Sequence, residues 1–199
     1  MFIQMVQGAC SQEDDMRMLV DEWCERMGDV PGWLGGTYGF TDDGHFVGVV
    51  RYESATACKE TCAASDAGAW WAAAEEMFDR PPEIHQSEDV MIMLDGGSDA
   101  AGFVQVMRGK VGNSDTLRRI MTDQDMTSML HQARPDIIGA TMLIEDDGTF
   151  TETISFTDED SARKGETMEM PAEVAADLQE AMAEVDYYDL HKPWFGRHH

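Results

Sequence analysis

Positive charge is scarce in this chain. Its 199 residues include 14 Lys and Arg against 39 Asp and Glu, a formal net charge of −25. Only four of the cations are Lys. The deficit runs along the whole chain: residues 1–97 carry 5 basic and 19 acidic side chains, and residues 98–199 carry 9 and 20. A surface of that sign repels phosphate backbones and anionic lipid, which argues against nucleic acid and membranes as partners. A Lys-poor acidic surface suits either a salt-rich cytoplasm, where screening removes self-repulsion, or solubility alone.

Long apolar runs are missing too. None approaches the roughly 18 residues of a spanning helix, and no basic segment leads into an apolar stretch at the start. The expectation is a cytoplasmic protein. Cysteine is sparse: Cys10, Cys24, Cys58 and Cys62, all in the first half. Cys58 and Cys62 stand one helical turn apart and could offer two thiolates. No CxxC and no nearby His completes a tetrahedral set, so they read as small buried side chains and no metal site is expected. The chain also lacks a Gly-rich phosphate motif, an HExxH pair and a nucleophile elbow.

What is present is a repeat. Phe40-Thr41-Asp42-Asp43-Gly44-His45-Phe46 returns as Ile144-Glu145-Asp146-Asp147-Gly148-Thr149-Phe150, 104 positions later. Asp-Asp-Gly between apolar runs signals a hairpin, because Asp and Gly tolerate positive φ. At the same offset Pro31 matches Pro135, Gly35 matches Gly139 and Thr37 matches Thr141. The chain start matches at offset 101, with Phe2, Gln4 and Gly8 against Phe103, Gln105 and Gly109. A period near 100 residues exceeds any solenoid unit and points to a duplicated small domain.

The elements follow in order. Phe2 to Gly8 reads as a strand, and Ser11 with Asp14 as a capping box. Met16, Leu19, Val20, Trp23 and Met27 form one apolar helix stripe. Gly36–Phe40 and His45–Tyr52 read as strands. A helical region from Ala55 to Phe78, capped by Ser54, breaks near Ser65-Asp66 and stops at Pro81-Pro82. Val90 to Leu94 reads as the fourth strand, with Ile84-His85 leading in. That order is βαββαβ, a ferredoxin-like unit. The second half repeats it. Its first helix breaks around Thr122 to Asp125, with Met126 and Leu130 on a different face. Its second helix breaks at Met170-Pro171, and Pro171 opens a helix carrying Val174, Leu178, Met182 and Val185. Strands are expected at Ala140–Ile144, Thr149–Phe156 and Tyr187–Leu190. The expected class is α+β: repeat one over 1–95, a linker over 96–102, repeat two over 103–195.

With this element order, the turn Asp42-Asp43-Gly44 and the aromatic stretch Gly68-Ala69-Trp70-Trp71-Ala72, the chain resembles antibiotic biosynthesis monooxygenase-like domains of the dimeric α+β barrel superfamily. The resemblance spans Phe2 to Phe195 and implies a tandem, with both halves of the barrel in one chain. It implies a pocket between each sheet and its own helices. Such families include cofactor-free oxygenases of polycyclic phenols, haem-degrading enzymes and proteins with no assigned reaction, so fold alone does not give function. Haem-degrading members use an Asn on the first strand and a His on the second helix. Here Gln4 takes the first place, and Ala69 to Phe78 contains no His.

Candidate site residues concentrate in the first repeat. Trp33, Tyr38, Trp70 and Trp71 face Ile137, Met142, Val174 and Ala175 at about the same places of the second, so a pocket for a flat apolar or aromatic ligand is expected in repeat one. Gln4 offers a paired donor and acceptor, and His85 is a candidate general base. Arg51 is a candidate partner for an anionic group. Each has a plainer reading: core packing for the rings, a sheet-surface hydrogen bond for Gln4, an exposed imidazole, a surface ion pair. The functions in view are a small-molecule pocket protein acting as a cofactor-independent monooxygenase or isomerase with no cofactor, or a non-catalytic module of the same fold, with haem binding last. Either a monomeric pseudo-dimer or a homodimer fits.

Overall fold

Glycine at two repeat-related positions lets a further chain segment lie close against one edge of each sheet. The computed structural model describes residues 1–63, 66–169 and 172–198. The chain divides into two compact units, residues 1–88 with 192–199, and residues 89–191. The first holds β1 (Phe2–Ala9), α1 (Glu13–Met27), β2 (Trp33–Phe40), β3 (His45–Tyr52), α2 (Ala55–Cys62), α3 (Ala67–Glu76) and β4 (Glu83–Ser87). The second holds β5 (Val90–Met93), β6 (Phe103–Val111), α4 (Ser114–Thr122), α5 (Gln124–Ala133), β7 (Ile137–Ile144), β8 (Thr149–Phe156), α6 (Glu159–Glu166), α7 (Ala172–Ala181) and β9 (Met182–Leu190). A last strand, β10 (Trp194–Gly196), belongs to the first unit. The sheets run β10-β2-β3-β1-β4 and β5-β7-β8-β6-β9, and every pairing is antiparallel. Each unit is ferredoxin-like, with both of its helical regions in the second unit, and the later one in the first, split in two.

Each sheet has a short fifth strand at one edge. Gly35 has φ +117, and a Cβ there would meet the Gly196 carbonyl oxygen at 2.8 Å. Gly139, its repeat partner, lies still closer to the Gly96 carbonyl. The register shifts at both places, between Trp33 and Gly35 and between Ile137 and Gly139. Only a residue without Cβ lets an edge chain approach so closely.

This corrects the expected boundaries. Val90–Met93 is not the fourth strand of the first repeat; Glu83–Ser87 is. The choice follows burial. Glu83, Ile84 and Gln86 are exposed, as suits an edge, whereas Met91 and Met93 are buried in the second unit's core beside Leu117 and Met142. Likewise Trp194 is only 8% exposed and packs on Tyr38 and Phe40 of the first unit. The second repeat thus ends sooner than residue 195.

The two Asp-Asp-Gly turns are equivalent hairpins. Gly44 and Gly148 both have φ +76. Thr41 N–H donates to the His45 carbonyl at 3.0 Å, and Glu145 N–H to that of Thr149 at 2.8 Å. Side chains reinforce the corners, with the Thr41 hydroxyl donating to Asp43 and Lys110 pairing with Asp147.

Helix α1 buries Met16, Val20, Trp23 and Met27 on one face. Glu13, Asp14 and Asp15 sit in its first turn, where the helix dipole favours anions. Ser11 does not cap it; its hydroxyl donates to Asp79 at 2.7 Å. Ser54 does cap α2, accepting from Ala57 N–H at 3.1 Å. The expected breaks at Ser65 and at Met170-Pro171 fall outside the described residues, as does the face taken by the Met126 side chain. Helix α7 ends at Ala181, so Met182 and Val185 lie in β9 rather than on the helix. Positive φ at Glu184 and a register shift opposite Gly109 mark that entry.

Candidate functional site

The helix-facing side of the first sheet carries Phe2, Gln4 and Val6 from β1, Tyr38 from β2, and Phe46, Gly48, Val50 and Tyr52 from β3. Paired residues share a face, so Gln4 opposite Val50 and Val6 opposite Gly48 make a continuous floor. Helices α1 and α3 cover it. Between floor and helices lies a cavity of about 300 Å³, at the lower end of ligand pockets. Gln4, Tyr38, Trp70 and Trp71 all line it, with Trp23, Cys62 and Ile84. Four of the residues singled out in the sequence therefore meet in one place.

The tryptophans do different work. Trp70 stacks on Trp23 at 4.5 Å between centroids, and its indole N–H donates to the Leu19 carbonyl at 2.9 Å. It is fixed. Trp71 lies 6.4 Å from Trp70 and is half-buried. Gly48 sits beneath the rings: a Cβ there would press on Tyr38 and Phe46. The Tyr38 ring runs from Gly48 back over Gly36, where any side chain would overlap its hydroxyl. Two glycines thus let one aromatic ring lie flat on the floor.

Polarity on the wall is slight. Among the described residues, no Asp, Glu, Lys, Arg or His lines the cavity. The Gln4 amide donates to the Gln86 side-chain carbonyl at 3.1 Å, at the sheet edge. Burial pushes the Tyr38 and Tyr52 phenols well above their ordinary range. Cys62 behaves oppositely. The neighbouring Cys58 thiol lowers it from the ordinary thiol value, while the same interaction and burial push Cys58 up.

Three other candidates lie elsewhere. His85 pairs with Met5 across the strands and Arg51 with Ile3, which puts both on the sheet face turned away from α1 and α3. There His85 Nε2 is 3.3 Å from Glu83 and 3.4 Å from Gln7, and the Arg51 guanidinium donates to Thr37 at 3.1 Å. Strand alternation decides this, and one residue of register separates His85 from the cavity-lining Ile84. Trp33 is fully buried in the same core as Tyr38, against Gly196, but does not reach the cavity. Sequence reasoning passed over Gly48 and Trp23 as site residues and set Cys62 aside. A glycine under aromatic neighbours on a strand was the available signal.

The equivalent place in the second unit is different. Glu152 stands where Gly48 stands, between Met107 and Met142 as Gly48 stands between Val6 and Tyr38. It is 5% exposed, and burial alone raises its carboxyl to about 7. Beside it Gln105 donates to Asp189 at 2.9 Å, and Arg163 ties Asp189 to Glu159 and Glu166. Among the described residues, no cluster of His, Cys, Asp and Glu could hold a metal ion. No helix among them is long and apolar enough to cross a membrane.

No protein-family model and no curated protein matches the sequence. Solved structures do. A candidate monooxygenase from Fusobacterium nucleatum aligns over 98% of this chain and 94% of its own, with a TM-score of 0.77 and 11% identity. One from Lactobacillus acidophilus NCFM aligns over 98% and 96%, with a TM-score of 0.71 and 10% identity. An anthrone oxidase-like protein aligns over 98% and 93%, with a TM-score of 0.66 and 11% identity. At these identities the likeness is one of fold. The shared fold is α+β, with two ferredoxin-like units in one chain.

Proposed function

We propose that the cavity of the first unit binds a flat apolar or phenolic compound, and that the chain oxidises it with dioxygen and no bound cofactor. The observation that carries the reading is the asymmetry between the units. Trp23, Trp70, Trp71 and Tyr38 surround an open floor at Gly48, while the matching floor position of the second unit holds Glu152. A fused-ring ligand losing on the order of 250 Å² of apolar surface would gain about 6 kcal/mol, partly offset by lost freedom. Gln4, at the rim, is the candidate polar contact that fixes orientation. The structural neighbours named for monooxygenase or anthrone oxidase-like character support the oxidation step by fold analogy alone.

A second reading, a binding module without chemistry, is favoured by the lack of any charged side chain on the cavity wall among the described residues. Oxygen uptake separates the two. Fused-ring phenols are supplied to the protein in metal-chelated buffer, alongside Gly68→Phe, which projects a ring from an open position at the wall. Uptake that depends on the protein and falls in the variant supports oxidation. Saturable binding with no uptake gives the module reading, substrate conversion without uptake gives an isomerase, and no binding removes both.

A further inference from the structure

We propose that Cys62 is a nucleophile at the cavity wall that captures quinones and related α,β-unsaturated carbonyl compounds as covalent thioethers. The inference rests on the reading of the cavity as an aromatic-ligand site, because the same walls would hold the electrophile.

Placement carries the argument. Cys62 is the last residue of α2, and its side chain lines the cavity with Trp70, Trp71 and Tyr52. It is exposed, so reagents reach it, whereas Cys58 one turn earlier is 4% exposed. The two thiols are not equivalent. Cys58 precedes Cys62 by one helical turn and acts on its thiol, while Tyr52 acts on Cys58 from β3. A helix C-terminus disfavours a thiolate, because its last carbonyls point there. Cys58 acts in the opposite sense and lowers the Cys62 thiol from its ordinary value, which enlarges its thiolate fraction. Lys59 of α2 acts electrostatically on Cys58.

The step balances without a further reagent. The Cys62 thiolate adds to the ring carbon β to a quinone carbonyl, forming one C–S bond. The electron pair of the C=C bond moves to the carbonyl oxygen, which takes a proton from water. The ring proton then passes by way of water to the second carbonyl oxygen, which restores aromaticity, so the product is a hydroquinone thioether; the quinone is reduced and the ring carbon oxidised.

The test uses the full chain, reduced and then freed of small thiols. It is treated in parallel with 1,4-naphthoquinone and with iodoacetamide, and adducts are located by peptide mass spectrometry. Cys62 should react first with both. Its rate with naphthoquinone relative to iodoacetamide should fall about tenfold in Trp71→Ala, which removes the ring wall and spares the thiol. In Cys58→Ala the pH midpoint of iodoacetamide labelling should rise by about one unit. Labelling of Cys10, Cys24 or Cys58 ahead of Cys62 overturns the proposal. So does a naphthoquinone preference that Trp71→Ala leaves unchanged, which would count against the cavity reading as well. Binding of 1-naphthol without any quinone adduct on Cys62 overturns the thiol inference alone.

Discussion

Trp23 of α1 and Trp70 of α3 stack at 4.5 Å with their planes 24° apart, and through that contact the two helices hold the cavity roof at a fixed height. The Trp70 N–H bond to the Leu19 carbonyl adds a directional tie between the same helices. Trp71 makes neither contact. The pair Trp70-Trp71 is therefore one structural ring and one ring free to meet a ligand.

Trp70→Ala should cost about 2 to 3 kcal/mol, from the lost stack, the lost hydrogen bond and the hole left behind. Trp71→Ala should stay within about 1 kcal/mol of the parent. Urea denaturation of both variants measures this. Equal losses would mean that the division of labour is wrong.

Gly48→Glu should copy the second unit's floor into the first. The side chain must displace Tyr38 or Phe46 and brings a carboxyl into an apolar space. Affinity for 1-naphthol should fall at least about tenfold. Unchanged affinity, with the fold intact by circular dichroism, would place the ligand elsewhere.

Glu152 gives a pH dependence of known sign. Its ordinary value is near 4.5 and burial raises it to about 7 in the folded chain. The unfolded chain therefore loses this proton first. Stability is full below about 4.5 and declines as pH rises towards 7, by at most about 3 kcal/mol. Glu152→Gln should flatten that part of the profile. A profile with the same slope in both proteins would contradict the assignment.

The charge of −25 predicts a salt response. Raising salt from about 0.1 M to about 1 M shortens the screening length from about 10 Å to about 3 Å. Self-repulsion should fade, and Tm should rise by about 5 °C or more. The ion pairs Arg118–Asp89 and Arg163–Asp189 weaken on the same change, but acidic groups outnumber basic ones by 25. A flat Tm would leave solubility as the better account of the composition.

The repeat was legible because turns constrain residue type. Gly44 and Gly148 must take positive φ, so they survive in both copies. Gly35 and Gly139 were visible as a pair, but their reason was not, since it lies in chain segments far along the sequence that come to lie against them. For the same reason Val90–Met93 and Trp194–Gly196 were assigned to the wrong repeats: a short apolar run does not state which sheet edge it will join. The aromatic wall was legible from Trp70-Trp71 and Tyr38. His85 and Arg51 were not separable from it, because the face a strand residue takes depends on a register that single residues do not announce. Cys62 was hidden by the reasonable default for cysteine, burial.

All five tryptophans lie in the first unit, so intrinsic emission reports on that unit alone. The most direct test titrates 1-naphthol into the parent, Trp71→Ala and Val174→Ala, following emission above the ligand's own band, with equilibrium dialysis alongside. The account predicts saturable quenching in the parent, affinity about tenfold weaker in Trp71→Ala, and an unchanged curve in Val174→Ala. Binding by dialysis without a change in emission, or equal loss in the two variants, would contradict it.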